Sequence, residues 1–297
     1  MLDKQNNHMP VKTIPAHFAE VYDANAKDVA LIFGDDKVVD RYFNIGSPLD
    51  MDVPVCLNLN SFIERSNGIF GKTGTGKTFI TRLILAGLVK SKKAVNLIFD
   101  MHSEYGLQAR QEGKGSFVRG LKSLFPGEVA IFSLDPDSTR RRGGSPDVEV
   151  VLSYEDIRVE DVMPLQDELN LHPTALEAAY LIASKYKNLW LKVLLEQEGT
   201  VKEFAEEVGA HPESVGALFR KLKRIEKFPF ISKTSGHSVI KTMLDYLSRG
   251  IHVVLEFGNH TSMLCYLLIA NIIARRIHEA YVSKTERFLA TQKREDE

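Results

Sequence analysis

Gly71-Lys72-Thr73-Gly74-Thr75-Gly76-Lys77-Thr78 lies between a short apolar run, Gly68-Ile69-Phe70, and an amphipathic stretch from Thr78 to Val89. The octapeptide satisfies G-x-x-x-x-G-K-[ST] in full, and a strand before it with a helix after it is the setting that gives the pattern meaning. Its glycines let successive backbone N–H groups curl toward one anion, since no Cβ obstructs the turn. The helix that follows adds the partial positive charge of its N-terminus. In such a loop Lys77 reaches the β- and γ-phosphate oxygens and the Thr78 hydroxyl binds Mg2+. Residues 71–78 therefore form the expected phosphate cradle of a nucleotide.

Outward from the loop, strands and helices alternate. Ala94 to Phe99 reads as an apolar strand, Glu128 to Leu134 as another, and Val148 to Leu152 as one more. That alternation predicts an α/β fold with a mostly parallel, doubly wound sheet. From Ser153 to about residue 249 nearly everything reads helical, with one long helix over Pro173 to Gln197 and shorter ones over Val201 to Val208 and Pro212 to Lys227. The strand pattern resumes at Ile251 to Phe257, ahead of a helix over 261–283. Before the loop, a short helical stretch precedes two strand signals, Phe43 to Gly46 and Val53 to Leu59. The expected organisation is a lead-in over 1–60, a first core half over 61–152, a helical insertion over 153–235 and a second core half over 236–297.

Composition narrows the partners. Lys plus Arg is 38 and Asp plus Glu is 39, so the formal net charge is −1. A chain that met polyanions with its whole surface would be basic, so nucleic-acid contact requires a local patch or a ring of subunits. The two cysteines, Cys56 and Cys265, stand alone in apolar settings, which fits a reducing cytosol and excludes a disulfide scaffold. Met1 to Pro10 is polar and lacks the apolar segment of a secretory signal. The most apolar run, Met263 to Ala274, falls short of the roughly twenty residues a bilayer span needs. The expected location is the cytoplasm, with no membrane contact.

A second motif, Asp100-Met101-His102-Ser103-Glu104-Tyr105-Gly106, ends the strand at Phe99. In a parallel sheet the carboxyl ends of strands face the bound ligand. An Asp there binds Mg2+ through water, and a Glu four residues on orients or deprotonates the attacking water. The alternative, equally open on spacing, is that Asp100 caps a turn and Glu104 is solvated.

Together, the loop 71–78 and the Asp-x-His-x-Glu-Tyr motif resemble the HerA helicase-translocases, relatives of FtsK. The strand Val253-Val254-Leu255-Glu256-Phe257-Gly258-Asn259 with its following helix is similar to a later unit of that family, as is a helical insertion between the halves of a RecA-like core. The resemblance covers residues 40–297. It implies a homo-hexameric ring that hydrolyses ATP with Mg2+ between subunits and pumps double-stranded DNA, often beside a NurA-type nuclease. It also implies catalytic roles for Lys77, Asp100 and Glu104, with Thr78 and Asp100 at the metal. Arg65 stands where such proteins carry a residue that senses a neighbour's nucleotide; a solvated strand-end arginine is the alternative. The family's Walker B strand should follow the helix 261–283, whereas here Arg294-Glu295-Asp296-Glu297 closes a stretch with no apolar strand after Leu289. The lead-in has room only for a remnant of the family's N-terminal β-barrel. The chain is thus expected to be a fragment or a shortened relative that binds ATP and hydrolyses it slowly or not detectably.

Weaker features remain. The helices Val201 to Val208 and Pro212 to Lys227, joined at Gly209, outline a helix-turn-helix whose second helix offers Arg220, Lys223 and Arg224 to DNA phosphates. A solvated bundle face is the blander reading. Arg140-Arg141-Arg142 is a basic loop suited to DNA, to a neighbouring subunit or to solvent alone. The nine histidines show no metal spacing, and Trp190 fits a core stripe. The sequence thus predicts an ATP-driven DNA motor, with a nucleotide-binding assembly module as the alternative. A P-loop GTPase is disfavoured by the lack of an Asn-Lys-x-Asp motif.

Overall fold

The computed structural model describes residues 14, 16–20, 22–38, 41–110, 117–197, 199–234 and 236–291, with 109, 110, 117 and 291 as backbone only. The polar N-terminus Met1 to Pro10 and the tail from residue 292 lie outside the described residues. The chain divides into two compact units, residues 1–95 and 96–297.

In the first unit, helix α1 (Ala26–Phe33) starts at a capping box, in which Asn25 accepts from the Lys27 and Asp28 N–H groups and Asp28 accepts from that of Asn25. Strands β1 (Tyr42–Gly46) and β2 (Val55–Asn58) pair antiparallel, with a bulge between Asn44 and Gly46. Asn58 then caps the short helix α2 (Leu59–Ile63) by accepting from the Ser61 N–H. Helix α3 (Lys77–Ser91) packs Ile80, Ile84 and Leu88 against Phe43, Leu57, Leu59 and Phe62. A Cβ at Gly87 would come within 2.8 Å of the Phe43 ring, so glycine permits the close approach of helix and hairpin. The expected strand Gly68 to Phe70 does not form: Ile69 is 38% and Phe70 is 93% exposed, and neither joins a ladder. Three residues, one of them glycine, offer too little side-chain contact to hold a strand without a paired neighbour.

The second unit begins with β3 (Leu97–Asp100). A two-residue antiparallel ladder follows, β4 (Ala109–Arg110) on β5 (Phe117–Val118). Next come α4 (Leu121–Leu124), β6 (Val129–Ser133), α5 (Pro136–Arg141), β7 (Val148–Glu149) and β8 (Leu152–Ser153). The helical segment contains α6 (Val159–Val162), α7 (Gln166–Leu169), α8 (Pro173–Tyr186), α9 (Trp190–Leu195), α10 (Val201–Val208) and α11 (Pro212–Leu222). Strand β9 (Ile231–Ser232), α12 (Val239–Ser248), β10 (His252–Glu256) and α13 (Met263–Thr291) complete it.

The main sheet has the order β3-β10-β6-β7, and every pairing in it is parallel. This is the mixed α/β class expected for a RecA-like P-loop core. Every residue of β6 and β10 is buried, as continuous apolar runs require when both faces of a parallel sheet are covered. Expected and observed boundaries differ at three informative places. The stretch Val148 to Leu152 is two strands, because β8 leaves the main sheet and pairs with β9, 79 residues on at Leu152↔Ile231. That ladder joins the two ends of the helical insertion. The long helix over Pro173 to Gln197 is broken at Lys187, where φ is +52°. Beyond the break Trp190 is buried and donates its indole N–H to the Ile157 carbonyl at 2.8 Å. The last helix runs eight residues past its expected end, to Thr291.

The insertion shares its core with the sheet. One apolar cluster joins Phe132, Leu255 and Phe257 to Ile182, Leu194 and Leu218. Helix α13 is tied to it by a buried carboxylate: Asp161 receives Arg276 at 2.6 Å and Arg275 at 3.4 Å.

Candidate nucleotide-binding site

The phosphate loop is built by glycine conformation and one shared carbonyl. Gly74 and Gly76 adopt φ of +80° and +87°, the left-handed region that a Cβ disfavours. A Cβ at Gly71 would lie 2.6 Å from Thr75 Oγ1, so glycine lets the loop close on itself. The Lys72 carbonyl accepts from the Thr75 N–H at 3.3 Å, the Thr75 hydroxyl at 2.7 Å and Lys77 Nζ at 2.7 Å. Gly76 opens α3 with no side-chain cap, and the Ile80 N–H is bonded to the Gly76 carbonyl at 3.0 Å. Gly76, as the N-cap, offers no side-chain acceptor to the first turn of α3, and residues 71–76 are exposed. With two lysines and no acid between Gly71 and Thr78, this surface suits an anion. Lys77 gains by exchanging a neutral carbonyl for a phosphate oxygen, because a hydrogen bond between opposite charges is the stronger one.

At the carboxyl edge of the second unit's sheet, register sets Asp100 and Ser133 on either side of Glu256, and all three are fully buried. Asp100 Oδ1 accepts from the Glu104 N–H at 2.8 Å; Oδ2 accepts from those of Tyr105 at 2.8 Å and Gly106 at 3.2 Å. The loop 101–106 is thereby folded around the carboxylate. Burial pushes the Asp100 carboxyl above its ordinary value and the Glu256 charge adds to that, against the pull of the three N–H donors. Glu104, half-buried, has its backbone fixed by Asp100.

Glu256 is held from the other side. Thr139 donates to it at 3.0 Å, and Arg142 forks onto both oxygens at 2.5 and 3.4 Å. A Cβ at Gly106 would fall 2.6 Å from Glu256 Oε1, so the Asp100 loop lies directly against this ion pair. The sequence signal for the pair is a charge directly after the apolar run Val253 to Leu255, since a buried carboxylate requires a partner.

Residues 43–277 match the family described as Helicase HerA, central domain. The chain belongs to that family. No protein of curated function matches it. Membership makes it a P-loop ATPase domain of the HerA–FtsK type and implies nucleotide use. The matched span takes in the phosphate loop, the Asp100 loop and Glu256.

In this HerA-family chain the other sequence-derived candidates scatter. Arg65 is exposed just after α2, and its carbonyl accepts from the Asn67 side chain at 2.6 Å. The expected basic loop is the end of a helix, since Pro136 at its start and the Asp135 cap carry α5 through Arg141; Arg142 serves Glu256, Arg140 pairs with Asp137 and Glu149, and Arg141 is exposed. Helices α10 and α11 do form a helix-turn-helix about Gly209, whose φ is +71°. Arg220 is exposed on α11, Lys223 pairs with Glu226 at 2.8 Å, and Arg224 donates to the Glu168 carbonyl at 3.3 Å. The N-terminal part of α11 lines a groove of about 550 Å³ with α8, between His172, Leu181, His211 and Ala217. Among the described residues no group of three or more His, Cys, Asp or Glu is placed to hold a metal ion, and no helix is long and apolar enough to cross a membrane.

Proposed function

We propose that this chain is the ATP-hydrolysing motor domain of a double-stranded DNA translocase or helicase. It works as a homo-hexamer in the cytoplasm, beside a nuclease of NurA type. The observation that carries the reading is the phosphate loop in its HerA-family context: an exposed cradle of N–H groups opening a helix, with Lys77 on an exchangeable partner. The residues fit Mg-ATP, with Lys77 at the phosphates and Thr78 at the metal. Bound there, Mg2+ supplies neutralisation of phosphate charge. With a net charge of −1, DNA contact falls to repeated local elements around a ring, where Arg141 and Arg220 are exposed basic residues, one in each of the two candidate patches.

One observation favours a second reading, in which the chain binds ATP to order an assembly and does not turn over by itself. Asp100 and Glu256 are both engaged by protein partners, three backbone N–H groups for one and Arg142 with Thr139 for the other. Phosphate release measured with and without duplex DNA separates the two. Duplex-stimulated turnover of about 1–100 per second supports the motor. Tight ATP binding without release, in the presence of duplex, supports the assembly module.

A further inference from the structure

Helix α3 divides its side chains sharply. Ile80, Ile84 and Leu88 face the β1–β2 hairpin and join its small core. Phe79 precedes Ile80, about 100° round the helix, and is 61% exposed. A lone surface phenylalanine is ordinary in itself. Its address is what matters here: Phe79 directly follows Lys77 and Thr78, in the first turn of the helix that the phosphate loop opens.

In a loop of this type the backbone cradles the α- and β-phosphates, while the lysine reaches toward β and γ. The nucleoside is joined through the α-phosphate, so residues bordering the cradle, the opening turn of α3 among them, are placed to meet its base. The large apolar side chain exposed on that turn is Phe79. An aromatic ring offers a base its face and makes no demand on hydrogen-bonding edges, since every base has a π-face.

We infer that Phe79 is the base-binding residue of the nucleotide site, stacking on the nucleobase and adding affinity without selecting among bases. The inference rests on the phosphate-loop reading and deepens it. Stacking adds to affinity only for ligands that carry a base. Inorganic tripolyphosphate, which has the charge and no base, is the discriminating probe.

The experiment is calorimetric titration of the full chain with ATP, GTP and inorganic tripolyphosphate, each with Mg2+. Wild type is compared with Phe79→Ala, Phe79→Trp, Phe70→Ala and Lys77→Ala. Phe79→Ala is expected to weaken ATP and GTP alike by about five- to a hundredfold, and to leave tripolyphosphate within about twofold. Phe79→Trp is expected to retain ATP affinity. Because Trp190 is 1% exposed, the emission of the new indole dominates any quenching. That quenching is expected with ATP and not with tripolyphosphate. Unchanged ATP affinity in Phe79→Ala, an equal loss for tripolyphosphate, or a loss of ATP affinity in Phe70→Ala alone overturns the inference and leaves the phosphate loop standing. If Lys77→Ala binds all three ligands as wild type does, the phosphate-loop reading falls and the base-stacking role falls with it.

Discussion

Residues 71–76 of the phosphate loop are exposed throughout, whereas Asp100, Ser133 and Glu256, at the ends of β3, β6 and β10, are entirely buried. The loop's strongest donor rests on a neutral carbonyl, and Gly76 gives α3 no side-chain cap. The strand-end acids, by contrast, have their oxygens occupied by backbone N–H groups, Thr139 and Arg142. The surrounding cores differ in the same sense. The first unit rests on a cluster of Leu59, Ile84 and Leu88, the second on one apolar cluster running from the sheet through the insertion. Groups meant to exchange partners stay near water, where a displaced contact costs little. Groups that persist are buried and paired, because an unpaired charge there is expensive. A specific motif and a well-packed site are therefore separate properties of this chain.

The sharpest way to break this contrast is Arg142→Ala. It leaves the Glu256 carboxylate buried without its cation, and a loss of about 3–5 kcal/mol in urea unfolding is expected. Pairing it with Glu256→Gln should recover most of that loss. A single-variant cost near zero would show that Glu256 is not held as a buried charge.

Lys77→Ala tests the other side. Its stability change should stay within about 0.5 kcal/mol, as for surface substitutions. ATP affinity should fall about ten- to a hundredfold, the worth of about 1.5–3 kcal/mol for a charge-assisted contact. Calorimetry and urea unfolding on the same preparation check both; large destabilisation would make the loop lysine structural.

Asp135 is an intermediate case. It caps α5 through the Ser138 N–H at 3.0 Å and takes the Asn259 N–H at 3.2 Å and side chain at 3.0 Å. Burial pushes its carboxyl up, but those donors, with the His260 charge, outweigh it and hold the value below the ordinary one. A depressed native pKa means stability present above the unfolded value and lost as pH falls through the native one. Asp135→Ala should cost about 1 kcal/mol at neutral pH, with the difference shrinking in acid. A gap that stays constant down to pH 2 would sink the ionic account.

The smallest effect concerns DNA. Arg220→Ala should lower the slope of log affinity against log salt by about one for assembled protein on duplex DNA. An unchanged slope would assign α11 to packing alone.

Much of the local structure was legible in one dimension. Val201 to Val208 was expected as a helix and is one, because Thr200 and Glu203 form a capping box within four residues of each other. The phosphate loop was legible for the same reason: its glycines, lysine and threonine act on their own backbone neighbourhood. The parallel sheet followed from alternating apolar runs, although the run at Gly68 to Phe70 forms no strand. What the tertiary structure alone decided depends on partners far apart in the chain. Arg142 read as a DNA candidate until folding set it against a glutamate 114 residues on. Asp100 stood between metal ligand and turn cap, and here its oxygens hold the backbone of its own loop. The ladder between Leu152 and Ile231, the bend at Lys187 and the grip of Asp161 on Arg276 left no pattern in neighbouring residues. Capping and turn preferences act through bonds a few residues long, so sequence carries them. Pairing of buried charges and closure of an insertion act through space, and only the packed chain determines which groups meet.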